Sequence, residues 1–81
     1  MNPQPRFKIG QQYTPLGKHL PLLYTVMDIH TTYNANGEHV RTRYVASHVF
    51  CGQIVTEYDI PEATIARGLS NEALATIDAT R

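Results

Sequence analysis

LLYTVMDIHTTYNANGEHVRTRYVASHVFC, residues 22–51, consists of two alternating runs hinged at Asn34-Ala35-Asn36-Gly37-Glu38, and its reading decides the fold. Asn36-Gly37 is the pair that tolerates positive φ at both centres of a type I′ turn, and apolar alternation flanks it, so the stretch predicts a β-hairpin. With Asn36 and Gly37 as the turn, Ala35 faces Glu38, Tyr33 faces Val40, Thr31 faces Thr42, Ile29 faces Tyr44, Met27 faces Ala46 and Leu23 faces Phe50. These pairs form one apolar face. The other pairs Asn34 with His39, Thr32 with Arg41, His30 with Arg43, Asp28 with Val45, Val26 with Ser47 and Tyr24 with Val49, so it is polar near the tip and apolar near the base. A three-residue loop with Gly37 as a bulge would instead set Tyr33 opposite His39 and Ile29 opposite Arg43, scrambling both faces. A one-residue slip sends a strand's apolar set to the wrong side, so the two-residue turn is the expectation.

Length and composition bound the rest. Eighty-one residues make one domain with a core only marginally sufficient, so association with a partner or a second copy would help it. Seven basic and seven acidic residues cancel, and no overall field draws the chain to nucleic acid or an anionic membrane. A single cysteine, Cys51, excludes an intramolecular disulfide framework and a multi-cysteine zinc site, and fits a reducing compartment. No stretch approaches the roughly 18 apolar residues of a membrane span. The chain reads as cytoplasmic, with no membrane partner.

Outward from the hairpin, residues 1–6 with their spaced prolines predict a flexible arm. Phe7 to Thr14 suggests a first strand in which Gly10 marks a bulge or close approach. Pro15-Leu16-Gly17-Lys18-His19-Leu20-Pro21 breaks any ladder and reads as an irregular loop. Cys51-Gly52 marks a second tight reversal, and Gln53 to Tyr58 a further strand. Asp59 reads as an N-cap with Glu62 three residues on, giving one or two helical turns over Glu62 to Arg67, Ile65 inward and Gly68 as the stop. Ser70 caps a last short helix whose apolar stripe is Leu74 and Ile77. The domain spans 7–69, with 70–81 a short C-terminal helix or tail.

Phe7-Lys8-Ile9-Gly10, Tyr24-Thr25-Val26-Met27-Asp28-Ile29, Val40-Arg41-Thr42-Arg43-Tyr44-Val45 and Gln53-Ile54-Val55, in that order and with those connections, resemble the layout of small SH3-like barrels. The resemblance covers Phe7 to about Leu69 and implies a mainly β fold, an antiparallel barrel or meander with a short helical turn and a C-terminal helix. The chain departs from proline-peptide readers of that family by lacking their acidic and aromatic cluster. Tyr44 to Gln53 together with Thr64 to Leu69 also resembles small bacteriophage and prophage accessory proteins, which implies a factor acting on host machinery, anti-CRISPR inhibitors being one class of this size.

Four histidines, His19, His30, His39 and His48, invite a metal reading, but no pair has a ligand spacing, and scattered histidines on strands are the default. Cys51 as a nucleophile with His19 as base lacks an orienting third group. Ser47 and His48 are neighbours on a strand and point to opposite faces, so they are not a catalytic pair. The five glycines are scattered singly at turns, and none builds a phosphate loop. No enzyme, metal or cofactor is therefore expected. The outstanding feature is the hairpin face of His30, Thr32, His39, Arg41 and Arg43, with Tyr24 further down. It is expected to bind a host or bacterial protein, arginine and tyrosine being enriched at interface hot spots. The alternative is nucleic acid, with arginines on phosphates and Tyr24 stacking a base. The bland reading is a solvated face in which Asp28 pairs diagonally with Arg43. The apolar lower half, Tyr24, Val26, Val45 and Val49, needs cover from the C-terminal helix or from a second copy.

Overall fold

The computed structural model describes residues 5–17 and 22–80. His19, proposed from sequence as a base for Cys51, lies outside the described residues. The chain forms β1 (Gln12–Tyr13), β2 (Tyr24–Tyr33), β3 (His39–Phe50), β4 (Gln53–Pro61), α1 (Glu62–Arg67) and α2 (Asn71–Ala79). The strands make one antiparallel sheet in the order β1-β2-β3-β4. The fold is mainly β, as expected, and its connectivity is a meander. The barrel form of that expectation is corrected, because β1 and β4 remain on opposite edges of an open sheet. A barrel needs a first strand long enough to reach the last, and β1 is cut to two residues by Gly10 at φ 97° on one side and the Pro15 to Gly17 turn on the other.

The hairpin is where the sequence said, but its turn is the three-residue kind. The Gly37 N–H donates to the Asn34 carbonyl (3.0 Å), the Asn34 N–H to the Glu38 carbonyl (2.9 Å), and Gly37 sits at φ 79° while Asn36 does not take positive φ. The Asn34 side chain explains the choice: its Oδ1 accepts from the N–H groups of Asn36 (2.9 Å) and Glu38 (3.0 Å), a local bond that competes with a two-residue turn. Tyr33 therefore faces His39. Val40 then bulges, and from Thr32–Arg41 through Asp28–Val45 the ladder runs in the register expected for a two-residue turn. A second irregularity at Met27 sets Val26 opposite Ala46 rather than Ser47. That extra residue turns Tyr24 and Val26 onto the face of Tyr44 and Ala46.

The type I′ geometry belongs to the other turn. Phe50 faces Gln53 across Cys51 and Gly52, whose φ values are 52° and 76°. Asp59, expected to be a helix cap, is instead in the left-handed region (φ 54°) at a bulge where Tyr58 and Asp59 together face Val45. α1 starts at Glu62 after Pro61 and has no side-chain cap. Gly68 follows it because a Cβ there would lie 2.7 Å from the Thr14 carbonyl oxygen. Ser70 does cap α2, its Oγ accepting from the Ala73 N–H at 3.1 Å.

The helices and the first residues cover one sheet face. Phe7, Tyr13, Tyr24, Val26, Tyr44, Ala46, Ile60 and Ile65 form the core, with Leu74 and Ile77 of α2 packed against it. A fully buried Ile such as Ile65 supplies about 1.5–3 kcal/mol. A nine-residue helix is marginal alone, so this contact is what keeps α2 formed. Of the arm expected over residues 1–6, residues 1–4 lie outside the described residues, and Arg6 grips Asp78 through two bonds of 3.0 and 2.8 Å. Tyr44 joins these parts. Its ring is fully buried edge-on to Phe7 (centroids 5.9 Å), and its hydroxyl accepts from the Phe7 N–H (3.3 Å) and donates to Glu62 Oε2 (3.2 Å). Tyr44→Phe keeps the packing but strands the buried Phe7 N–H, and is expected to lower unfolding free energy by about 1–3 kcal/mol. Chemical denaturation measures it; no change would mean that the hydroxyl bridge carries no stability.

Candidate binding surface

The outer sheet face, opposite the helices, carries the cationic patch. His30 faces Arg43 and Thr32 faces Arg41 across β2 and β3, as expected from sequence. Asp28 is the carboxylate beside them. Its Oδ1 accepts from the Ile29 N–H (2.8 Å) and its Oδ2 lies 3.5 Å from His30 Nε2. The diagonal Asp28–Arg43 ion pair is therefore replaced by a contact along the same strand. Arg43 Nη1 donates to the neighbouring Thr42 carbonyl (3.2 Å), and among the described residues neither Arg41 nor Arg43 has a carboxylate partner. Further along this face Val49 and Ile54 stand opposite each other, both well exposed.

Two residues assigned to this face lie elsewhere. His39 is separated from Arg41 by the Val40 bulge; its Nε2 is 2.8 Å from Thr42 Oγ1 and its ring stands edge-on to Tyr33 (6.1 Å). It belongs to the side of Thr42, Tyr44 and Ala46. Tyr24 is only 3% exposed and lies in the core, so it cannot stack a base. The Met27 irregularity is the cause. For the same reason Val26 needs no cover from a partner; Val45, on the outer face, is buried as well, and Val49 is left exposed there.

Sequence reading missed one cluster. Tyr24 stacks on His48 (centroids 4.1 Å, 14° between planes), and Tyr13 packs beside Tyr24 at 5.5 Å. His48 is buried, its Nδ1 has no hydrogen-bond partner among the described residues, and Glu57 Oε2 is 3.7 Å away. Burial, with the Glu57 charge, pushes the Tyr13 hydroxyl up to about 12, and burial followed by Glu57 holds the Tyr24 hydroxyl well above the ordinary tyrosine value. All these hydroxyls are neutral near pH 7 and act as packing groups. The available signal was alternation: His48 follows Tyr44 and Ala46 by steps of two, and once those are inward it must be.

Cys51 is exposed in the β3–β4 turn, whereas His48, two ladder pairs before that turn closes, is buried. No group of three His, Cys, Asp or Glu side chains among the described residues could hold a metal ion. No helix among them is long and apolar enough to cross a membrane. A groove of about 540 Å³ between Arg6–Gln11 and the end of α2 is bordered by Lys8, Ile9 and Ile77, but the Arg6 guanidinium there is already committed to Asp78.

Comparison with protein-family models, with curated proteins and with solved structures gives no match. His48→Phe keeps the stack on Tyr24 and removes the unpaired nitrogen, so stability should rise by about 1 kcal/mol. Thermal or denaturant melts read this, and a loss of similar size would mean that His48 is bonded to Glu57 in solution.

Proposed function

We propose that the chain is a non-catalytic protein-binding module that engages its partner through the outer face of β2 and β3. The observation that carries this reading is the pairing of Arg41 and Arg43, without carboxylate partners among the described residues, on a sheet face that the helices leave bare. Arginine brings a planar fork of five donors, and an acidic protein surface would supply the acceptors that the chain itself does not. His30 and Thr32 add hydrogen-bonding groups beside it, and Val49 with Ile54 adds apolar area. Nucleic acid is the weaker reading because Tyr24, its stacking residue, is buried and the chain has no net charge. The further step, a phage factor of the anti-CRISPR type aimed at host defence in the cytoplasm, rests on the sequence resemblance of Tyr44–Gln53 and Thr64–Leu69 and on the free Cys51 thiol.

Affinity capture from bacterial lysate at low and high salt tests the reading, with the Arg41→Ala, Arg43→Ala double variant as control. A protein that survives high salt should be retained by the wild type and weakened by about tenfold or more in the variant. Nucleic acid that elutes steeply with salt would replace the proposal. A partner held equally by both forms would place the binding face elsewhere.

A further inference from the structure

The two edges of the sheet are built differently. Along β2, Gly10 and Gln11 bond to both backbone groups of Val26 (2.8 Å each), Met27 bulges, and beyond it Asp28 places a charge on the strand. These are the usual guards against strand addition. On β4, the bulge and proline come only at the end, in Tyr58–Asp59 and Pro61, and Glu57 is the one charge before them. Gln53-Ile54-Val55-Thr56-Glu57 has no proline, lysine or bulge and pairs regularly with β3 on its inner side.

The two-residue turn fixes which backbone groups this edge presents. Phe50 and Gln53 close the turn as a hydrogen-bonded pair, so by alternation His48–Val55 and Ala46–Glu57 are bonded pairs, while Ile54 and Thr56 turn their N–H and C=O outward. The same residues are open to solvent at the side chain: Ile54 is 77% exposed, Thr56 is exposed, and Tyr58, next in the alternation, is 71% exposed. A large β-branched residue and a tyrosine at these levels on a bare strand edge are a binding surface without an occupant.

We propose that β4 pairs antiparallel with β4 of a second copy, about a two-fold axis through Thr56. In that register Thr56 faces Thr56, Ile54 faces Tyr58 of the second copy, and Tyr58 faces its Ile54. Thr–Thr and aromatic–β-branched pairs are among the favourable cross-strand combinations. Charge selects this register over its neighbour on the C-terminal side, which sets Glu57 against Glu57. The neighbour on the N-terminal side leaves Tyr58 opposite Gly52 of the turn, with no side chain to pack on. With the axis through Thr56, Glu57 faces Val55, and the regular pairing ends at Tyr58, where the Asp59 bulge begins. The axis is perpendicular to the sheet, because opposed residues in an antiparallel pair share a face. Both arginine patches of the resulting eight-stranded sheet then lie on one side. The dimer does not use Arg41 or Arg43 and shares only Ile54 with the binding face proposed above, so the arginine variant separates the two.

Sedimentation velocity from about 1 µM to about 1 mM spans the range in which so small a contact associates. The wild type should pass from monomer to dimer, Ile54→Lys should weaken association by at least about tenfold, and the Arg41→Ala, Arg43→Ala variant should dimerise like the wild type. A wild type that stays monomeric at the highest concentration, or an Ile54→Lys variant that dimerises unchanged, overturns the proposal. Register is read by oxidation of Thr56→Cys in a Cys51→Asn background, asparagine being at ease with the positive φ of that turn. Thr56→Cys should give an interchain disulfide, and Ile54→Cys, offset from its own copy by four residues, should not. Equal crosslinking of the two would overturn the register.

Discussion

Tyr44 is the residue on which the other parts depend. It lies on β3, paired along its length with β2 on one side and β4 on the other, and its hydroxyl ties a backbone donor before β1 to a carboxylate on α1. A small domain has little apolar area to spend, and one ring that contacts the N-terminal segment, the sheet and the helical layer makes the core cooperative. Because the bridge is on one face, everything it recruits is on that face. The other face of the same strands is left to Arg41, Arg43, Val49 and their neighbours.

Three irregularities decide which side chain reaches which face: Val40 on β3, Met27 on β2 and Tyr58–Asp59 on β4. The ladder between the first two was legible from alternation alone, and with it the His30–Arg43 and Thr32–Arg41 pairs. The positions of the turns at Asn34–Glu38 and Cys51–Gly52, though not the three-residue form of the first, the helix over Glu62–Arg67 with Ile65 inward, and the Ser70 cap were legible from local chemistry. What alternation could not show is a single inserted residue, since it leaves composition and local propensity unchanged while inverting every residue beyond it. That is why Tyr24 and His39 were placed with the arginines. Asp59 misled for a related reason: an aspartate three residues before a glutamate reads as a cap, but the same residue type also tolerates the left-handed backbone that a bulge requires.

The candidate surface that survives is smaller and simpler than the sequence implied. It is a strip of His30, Thr32, Arg41 and Arg43 on the hairpin, with exposed Val49 and Ile54 further on toward the β3–β4 turn. The cluster of Tyr13, Tyr24, His48 and Glu57 has the residue types of a chemical site but the environment of a core, with the buried imidazole stacked on Tyr24 and Tyr13 packed on the same tyrosine.

That division rests on the β2–β3 register, and interstrand proton contacts in solution NMR read the register directly. Contacts between Val26 and Ala46, between Asp28 and Val45, and between Tyr33 and His39 are the expected result, with Tyr24 in contact with His48. Contacts of Met27 with Ala46 and of Tyr33 with Val40 would contradict it, because an uninterrupted ladder would return Tyr24 and His39 to the arginine face and leave the core without the residues that fill it.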